Sequence, residues 1–286
     1  MAVPLLLEKI VNKLEDSIRG GLPEHYKTRT AALSLTETVR ALPAPLRLLV
    51  RRKVKNAFGG RLSKIIVGAA PIAPDTVDCL CALGIRTMQG YGLTECAPLV
   101  AGNNDFFLKS DAVGLPIPGV EIRIDDPDEE GVGEIAVRGP NVMLGYYNDA
   151  AATDAVLRGG WFYTGDYGKI NSEGQIYITG RKKNLIVLSN GKNVFPEEIE
   201  EYISRIDEVK EVIVYAPKDK SGDERRLFAQ IYLDPETPLS QKELKEKVNS
   251  VLEPLPMYKQ ISEIIIRDTE FEKTTSNKIK RAKYIS

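Results

Sequence analysis

A carboxylate and a guanidinium stand at matching positions in the stretch FYTGDYGKINSEGQIYITGRKKN, residues 162–184. A hairpin with its turn centred on 172–173 would set Asp166 opposite Thr179. Arg181 is two residues beyond Thr179 and shares its face, because side chains alternate between faces along a strand. Diagonal cross-strand neighbours are about 7–8 Å apart at the backbone, within reach of these side chains. The spacing therefore predicts that Asp166 and Arg181 meet.

The chemistry of this pair suits a vicinal diol. An ionised Asp166 accepts hydrogen bonds from two adjacent hydroxyls while Arg181 donates, as the 2′ and 3′ hydroxyls of a ribose would require. Hydrogen bonds to charged groups contribute roughly 1.5–3 kcal/mol each. Two alternatives stay open. The pair forms only a cross-strand ion pair, which contributes little at a surface, or a bulge at Gly174 shifts the register and puts the two side chains on opposite faces.

The sequence before and around this hairpin predicts two kinds of structure, an α/β segment followed by a β-rich segment. Residues 1–118 read as α/β, with helical apolar patterns at 4–19 and 45–57. The stretch SKIIVGAAPIAPDTVDCLCALGIRTMQGYGLTE then runs strand, turn, helix, strand, the arrangement by which open parallel sheets present binding residues at strand ends. From about 119 the apolar period changes to two, with Gly, Pro, Asp and Asn between short segments. This pattern predicts a small antiparallel barrel or sheet.

The character of the sequence changes again after residue 181. NLIVLSNGKNVF predicts a tight hairpin with SNGK at its tip, and Pro196 opens a helix with two glutamates in its first turn. The remaining strands and helix make a compact α+β unit of about one hundred residues, a normal domain size. The predicted organisation is a partial large domain at 1–181 (α/β segment 1–118, β-rich segment 119–181), followed by a small α+β domain at 182–286.

Composition excludes several classes of protein. The 286 residues carry 39 Lys and Arg against 40 Asp and Glu, so no global field favours nucleic acid. The single histidine, His25, argues against a Ser-His-Asp hydrolase or a multi-histidine metal site. Cys79, Cys81 and Cys96 form neither a disulfide framework nor a metal-type spacing, which predicts reduced thiols in a cytoplasmic protein. No apolar run approaches the length needed to cross a bilayer.

Five motifs in order resemble the signatures of the adenylate-forming superfamily. They are GYGLTECAP (90–98), GEIAVRGPNVMLGYYND (133–149), GGWFYTGDYGKI (159–170), TGRKKNLIVLSNGKNVFPEEIE (179–200) and TTSNKIKRAKY (274–284). That superfamily holds AMP-forming acyl-CoA synthetases, the adenylation domains of peptide synthetases and the luciferases. The chain is most similar to bacterial long-chain fatty-acid–CoA ligases, and the resemblance covers nearly all of it.

The resemblance implies an adenylate site. Asp166 would hold the ribose hydroxyls with Arg181 beside it, and Tyr91 would lie on the adenine face. Thr94 would give its hydroxyl to the α-phosphate, and Glu95 would bind Mg²⁺, a hard cation that prefers oxygen ligands. The implied nucleotide-contacting positions are Gly68, Ala69, Ala70, Pro71, Gln89, Gly90, Tyr91, Gly92, Thr94, Asp166, Arg181, Lys183, Gly191 and Asn193. The alternatives are a core aromatic for Tyr91, a turn residue for Thr94 and a helix cap for Glu95.

The resemblance also implies a moving small domain. Lys183 matches the hinge position, where a few residues absorb large φ/ψ changes. The loop at 189–193 would approach the adenylate and help to form the pantetheine tunnel. Lys278 matches the lysine that reaches the substrate carboxylate and the α-phosphate, where negative charge must be neutralised; a solvated basic tail is the alternative. The family has Pro where Glu272 stands and Gly where Asn277 stands, although Asn tolerates a left-handed conformation.

The implied reaction is ATP-dependent activation of a fatty carboxylic acid to acyl-adenylate and then acyl-CoA, with ATP/AMP, Mg²⁺ and coenzyme A as the small molecules. An acyl-AMP ligase serving a carrier protein, or a non-catalytic nucleotide-binding module, stays open. Neither an SGTTGxPKG-like loop nor GxxxxGK[ST] occurs. The chain is therefore expected to be the C-terminal portion of a longer ligase and inactive alone. No motif specifies an oligomeric state.

One stretch is strongly basic. PAPLRLLVRRKVKNAFGGRLSK, residues 43–64, holds seven Lys and Arg and no acid. A basic amphipathic helix can dock on anionic lipid, which would make the protein peripheral to a membrane. A plain solvated helix face is the alternative.

Overall fold

The computed structural model describes most of the chain. The described residues are 4–68, 70–217, 226–274 and 279–285. Two of the predicted site residues, Ala69 and Lys278, lie outside these ranges. Among the described helices, none combines the length and the apolar character needed to cross a bilayer.

The chain divides into two compact units. Unit 1 comprises Met1–Thr164 and Gly168–Ile178, and unit 2 comprises Gly165–Tyr167 and Thr179–Ser286. Asp166 and Arg181 therefore both belong to unit 2. The predicted domain boundary between residues 181 and 182 stays a prediction.

Helices and strands account for most of the described residues. The helices are α1 (Pro4–Gly21), α2 (Glu24–Thr30), α3 (Leu35–Ala41), α4 (Ala44–Ala57), α5 (Pro74–Ala82), α6 (Ala150–Val156), α7 (Pro196–Ile203) and α8 (Gln241–Leu252). The strands are β1 (Lys64–Val67), β2 (Arg86–Gly92), β3 (Leu99–Gly102), β4 (Leu115–Pro116), β5 (Glu121–Asp125), β6 (Gly133–Arg138), β7 (Leu157–Arg158), β8 (Trp161–Ile170), β9 (Ile176–Arg181), β10 (Ile186–Val187), β11 (Asn193–Val194), β12 (Val209–Tyr215), β13 (Leu227–Leu233) and β14 (Ile261–Arg267).

The first part of unit 1 is a sheet covered by helices. The strand order is β1-β2-β3-β4, with β1 and β2 parallel and the other neighbours antiparallel. Apolar side chains of α1 and α3–α5 contribute to its core. The fully buried Leu80 of α5 belongs to it, as do Leu83 and Ile85 between α5 and β2. The predicted helices at 4–19 and 45–57 correspond to α1 and α4.

Helices α2 and α3 were missed by the sequence analysis because each has only seven residues, too few to show an amphipathic period. A readable signal was present before α3. Ser34 and Glu37 form a capping box, in which each side chain accepts from the backbone N–H of the other residue.

The second part of unit 1 is the antiparallel β-rich region. Its strand order is β5-β6-β8-β7, and β9 pairs with β8. The register of β5 and β6 runs from Glu121 opposite Arg138 to Asp125 opposite Glu134. Alternate residues of β8 are buried. The predicted change to a period of two therefore corresponds to a half-buried antiparallel sheet.

Unit 2 has its own core. The three-stranded sheet has the order β12-β13-β14, with β12 and β13 antiparallel and β13 and β14 parallel. Helix α8 lies between β13 and β14 in the chain, because two parallel strands need a crossover connection. A capping box of Ser240 and Glu243 begins α8. Ile199, Ile231 and Leu244 are fully buried members of the core.

Candidate functional site

A short 3-10 turn, Thr94–Cys96, follows β2 and presents two predicted site residues. The Leu93 N–H donates to the Pro98 carbonyl over 2.8 Å, which closes the loop around the turn. Gly92 is required there, because a Cβ atom would collide with the same carbonyl. Thr94 is exposed and Glu95 is half-buried. The turn therefore offers a hydroxyl and a carboxylate on consecutive residues.

Glu95 is held by a residue that the sequence analysis did not single out. The Tyr146 hydroxyl donates to Glu95 Oε1 over 2.9 Å. Burial, and next the hydrogen bond to Glu95, raise the pKa of Tyr146. The Met143 N–H donates to the Glu95 carbonyl over 2.7 Å. The turn has no side-chain cap, so the helix-cap alternative does not describe Glu95.

The loop that carries Tyr146 also holds the far side of the turn. Asn141 Nδ2 donates to the carbonyls of Cys96 over 3.0 Å and of Leu99 over 2.9 Å. The Tyr146 N–H in turn donates to Thr153 Oγ1 over 2.9 Å. The sequence analysis used GPNVMLGYYND only as a signature motif. It did not predict these contacts with the GYGLTE turn, because they join residues about fifty positions apart.

The Glu95 carboxylate suits a Mg²⁺ ion whose other ligands come mainly from a nucleotide. Mg²⁺ commonly uses one or two carboxylates, with phosphate oxygens and water completing its coordination. Glu95 Oε2 has no hydrogen-bond partner among the described residues. Within those residues, no group of three or more His, Cys, Asp and Glu could hold a metal ion. Glu95 is thus an anchored carboxylate with one oxygen available to a metal ion.

The predicted backbone contacts lie where β1 and β2 end. Val67 pairs with Gln89 at the last register position, which brings Gly68 near Gly90 at the same edge of the sheet. Gln89 Nε2 donates to the Ser110 carbonyl over 2.5 Å. Parallel strands present binding residues at their carboxyl ends. The edge therefore brings together Gly68 and Gly90, which are 22 positions apart in the sequence.

The Tyr91 side chain is packed against the core on one part of its surface and is exposed on the rest. It pairs with Ala101 in the β2–β3 register and packs against the core cluster that includes Val100. It remains half-buried. The core-aromatic alternative and the adenine-stacking prediction are therefore compatible. Ala70 and Pro71, beyond β1, are exposed.

Asp166 and Arg181, predicted to meet across the hairpin, lie together in the structure. Arg181 Nε lies 2.7 Å from Asp166 Oδ1; the Asp166 side chain is 5% exposed and that of Arg181 45%. The Gly174 N–H donates to the Asn171 carbonyl over 2.9 Å, so the turn is centred on 172–173 as predicted. The alternative of opposite faces is wrong. The ion-pair alternative is realised, and ribose binding stays a prediction.

The next predicted residues follow β9. Lys183 is exposed in the 3-10 turn Lys182–Asn184, directly before β10. Hairpin β10–β11 pairs Val187 with Asn193. Gly191 has a φ of +77°, a left-handed conformation that glycine adopts without steric cost. The predicted hairpin with SNGK at its tip is therefore present, and the hinge and pantetheine roles stay predictions.

The segment that precedes the end of the chain is anchored on both sides of Lys278. Lys273 and Ile279 form an antiparallel bridge. Arg281 Nη1 donates to both carboxylate oxygens of Glu200 over 2.7 Å, and Nη2 donates to the Val214 carbonyl over 2.9 Å. The alternative of a solvated basic tail is therefore wrong for Arg281.

Glu272, where the family pattern has proline, also has a structural role. Its carboxylate pairs with both Lys280 and Lys283. These pairs lower its pKa from 4.5 to about 2. Glu272, which stands where the family pattern has proline, therefore links the two sides of the segment through ion pairs.

Comparison with known proteins identifies the family. Residues 1–147 match a family model described as AMP-binding enzyme, and residues 198–278 match one described as AMP-binding enzyme C-terminal domain. The chain belongs to the AMP-binding enzyme family. The resemblance to adenylate-forming enzymes that the motifs indicated is thereby confirmed.

Curated members of the AMP-binding enzyme family are similar to this chain. A long-chain-fatty-acid–CoA ligase of Escherichia coli O157:H7 is 43% identical over 152 residues, which are 51% of this chain and 27% of that protein. Long-chain-fatty-acid–CoA ligase 6 of Mus musculus is 32% identical over 280 residues, 93% of this chain and 39% of that protein. The chain thus spans less than half the length of these relatives.

Solved structures of AMP-binding enzymes share the fold. ATP-bound MatB from Rhodopseudomonas palustris superposes with a TM-score of 0.67 at 30% identity, covering 80% of this chain and 46% of that one. O-succinylbenzoate coenzyme A synthetase from Bacillus subtilis, in complex with AMP, gives 0.67 at 26% identity, covering 82% and 50%. The predicted fold class, α/β plus an antiparallel barrel or sheet and a small α+β domain, is confirmed.

Proposed function

We propose that this chain takes part in activating a long-chain fatty acid with ATP, first to the acyl-adenylate and then to acyl-CoA. The observation that carries the proposal is the turn at Thr94–Cys96, in which an exposed hydroxyl precedes a carboxylate anchored by Tyr146. The names of the relatives, long-chain-fatty-acid–CoA ligases, support the acyl substrate and the acceptor. A cytoplasmic location of the reaction is part of the proposal.

In the first step the fatty carboxylate attacks the α-phosphorus of ATP. A phosphorus–oxygen bond forms to the acyl group, the bond to the β-phosphate oxygen breaks, and pyrophosphate leaves. The Thr94 hydroxyl would donate to an α-phosphate oxygen. Glu95 would hold Mg²⁺, which would supply charge neutralisation on the phosphate oxygens. Preorganised donors aimed at developing charge often contribute more to such catalysis than any other effect.

Asp166 and Arg181 make the sugar contact in this proposal. Asp166 accepts from the ribose hydroxyls, and Arg181, already paired with it over 2.7 Å, fixes the direction of the carboxylate. A pre-paired carboxylate loses little freedom when the ligand binds, which lowers the cost of association. Lys278 neutralises charge between the carboxylate and the α-phosphate.

In the second step the thiol of coenzyme A attacks the acyl carbonyl. The thiol loses its proton to solvent, a thioester bond forms, the bond from the carbonyl carbon to the adenylate oxygen breaks, and AMP leaves. We propose that the domain boundary lies between residues 181 and 182, with Lys183 as the hinge about which the small domain reorients between the two steps. The loop at 189–193, including Gly191 and Asn193, then lines the path of the pantetheine.

Binding of a non-hydrolysable palmitoyl-adenylate analogue to this chain, measured by calorimetry, tests the proposal. We expect Asp166→Asn to weaken binding about tenfold or more, since a charged hydrogen bond contributes about 1.5–3 kcal/mol. Asp154→Asn, an exposed aspartate of α6, is the matched control. Thermal melting of each variant separates lost binding from lost folding.

Three results would decide against the proposal. Wild-type protein that does not bind the analogue contradicts a nucleotide site. Equal binding by Asp166→Asn contradicts the role of Asp166. For the acceptor, transfer from preformed palmitoyl-adenylate to a carrier protein in preference to coenzyme A contradicts the proposed second step.

A further inference from the structure

The basic stretch at 43–64 contains cations that the fold uses and cations that it leaves available. Lys64 pairs with Asp105 over 2.6 Å. Arg51 Nε donates to the Ala82 carbonyl over 2.9 Å, and Arg47 donates to a backbone carbonyl of α3. The remaining four cations, which form no ion pair with any described residue, are Arg52, Lys53, Lys55 and Arg61.

Helix α4 has one face fixed in the core and one face exposed. Val50 and Val54 are buried, which orients the helix. Leu48 is 67% exposed and Leu49 is 62% exposed. Exposed leucines occurring singly need no explanation, but two adjacent ones form an apolar patch. Along the helix the patch is followed by the cations Arg52 and Lys53.

The leucines and two of the available cations share that exposed side. Residues four apart on a helix are neighbours on one face, so Leu48 is followed by Arg52 and Leu49 by Lys53. We call these four residues the α4 face. Its first turn is apolar and its next turn is cationic, and residues 43–64 contain no Asp or Glu that would neutralise it.

We propose that the α4 face binds the surface of an anionic lipid bilayer. Lys and Arg are attracted by the negative potential of anionic headgroups. Leucines beside them can enter the boundary between headgroups and acyl chains, as in interfacial amphipathic helices. Nucleic acid would complement the cations, but its phosphates offer nothing apolar to the leucines. The combination of both side-chain types therefore favours lipid.

The interaction needs neither ATP nor coenzyme A, so it stands or falls separately from the proposed function. Its consequence would be to bring the chain to the place where long acyl substrates partition. The overall net charge of −1 means that the attraction is local to the α4 face and not a property of the whole chain.

Co-sedimentation with vesicles tests the proposal on the 286-residue chain. We expect binding to vesicles with 30% phosphatidylglycerol in phosphatidylcholine, at 50 mM salt, and little binding to pure phosphatidylcholine. Each cation near an anionic surface contributes about fivefold in affinity. Arg52→Glu/Lys53→Glu is therefore expected to weaken binding by at least about 25-fold. Leu48→Ser/Leu49→Ser should weaken it about tenfold through lost apolar burial.

Matched variants elsewhere on the surface serve as controls. Lys169→Glu/Lys245→Glu makes the same change in net charge at two exposed lysines outside the α4 face. Leu144→Ser removes a fully exposed leucine. Both should bind anionic vesicles like the wild type. Because every substituted side chain is exposed or nearly so, melting curves should remain unchanged, which keeps folding out of the comparison.

Several outcomes would overturn the proposal. These are no binding to anionic vesicles, equal binding to neutral vesicles, and control variants that lose as much affinity as the α4-face variants. Duplex DNA that binds the chain as tightly as anionic vesicles at the same salt would show a general polyanion site. Self-association abolished by Leu48→Ser/Leu49→Ser, without vesicle binding, would show that a second copy occupies the face.

Discussion

At the scale of residues, the two carboxylates of the candidate site are held in different ways. Asp166 is nearly buried and is fixed by an ion pair with a half-exposed Arg181. Glu95 is half-buried and is fixed by a neutral donor, the Tyr146 hydroxyl. A carboxylate with a neutral partner keeps its full charge available for a cation. This difference agrees with the proposed roles. Glu95 would bind a Mg²⁺ ion that enters and leaves the site, whereas Asp166 would need a fixed direction to accept from the ribose hydroxyls.

Replacing Tyr146 with Phe tests whether the tyrosine positions Glu95. The substitution removes only the hydroxyl, so Glu95 loses the donor that fixes its direction. A hydrogen bond to a charged group contributes about 1.5–3 kcal/mol, and partial exposure reduces this value. We expect the Mg²⁺ concentration needed for half-maximal nucleotide binding to rise about fivefold to tenfold. Titration of Mg²⁺ at fixed nucleotide measures it.

The neighbouring tyrosine is a matched control for this change. Tyr147 is 94% exposed, and Tyr147→Phe removes the same atom one residue away. Its Mg²⁺ dependence should equal that of the wild type. If Tyr146→Phe weakened nucleotide binding equally at all Mg²⁺ concentrations, the tyrosine would support the turn without positioning the metal ligand.

At the scale of elements, the segment after β14 is bound by Glu211 of β12 and Glu200 of α7, and Glu272 links two parts of the segment itself. The Phe271 N–H donates to Glu211 Oε2 over 2.8 Å where the segment begins. Glu272 joins the two sides through Lys280 and Lys283. Arg281 is bound by Glu200 of α7. These contacts define where the chain enters and leaves the stretch that contains Lys278.

The acid dependence of stability tests the contribution of Glu272. Hydrogen bonds from Lys280, and next from Lys283, lower the pKa of Glu272 from 4.5 to about 2. Because the folded-state pKa is lowered, the stabilisation is complete above pH 4.5 and is lost as the pH falls through about 2. We expect Glu272→Gln to melt below the wild type at pH 6 and to match it near pH 2.

Melting temperatures of both proteins between these pH values measure the effect. Glu263→Gln, at an exposed glutamate of β14 without an ion pair to any described residue, is the control and should follow the wild type throughout. A gap between Glu272→Gln and the wild type that stays constant down to pH 2 would contradict a titrating contribution.

At the scale of the whole molecule, each unit buries its own apolar side chains. Leu80 belongs to the core of unit 1 and Leu244 to the core of unit 2, and both are fully buried. A domain with its own core can in principle fold alone. The two units are therefore expected to unfold in separate steps.

Truncating one buried leucine in each unit tests this expectation. A buried leucine replaced by alanine typically costs about 2–5 kcal/mol, from lost transfer energy and the cavity left behind. We expect two transitions in calorimetry, with Leu80→Ala lowering one and Leu244→Ala lowering the other. Either variant shifting both transitions by the same amount would show that the units unfold as one.

Local regularities made much of this molecule readable. The period of two in 161–181 predicted the contact between Asp166 and Arg181, because a hairpin needs only its turn position to set the register. The amphipathic period likewise predicted α1 and α4. It could not predict α2 and α3, whose seven residues give less than two full turns.

The sequence by itself determined the family, the order of the longer elements and the residue types available for nucleotide chemistry, because each depends on neighbours along the chain. Only the tertiary structure decided which distant residues contact the carboxylates. Tyr146 meets Glu95 across 51 positions, and Arg281 meets Glu200 across 81. Such pairs form because sheets and loops bring distant stretches of the chain together. Local periodicity in the sequence does not predict these long-range contacts.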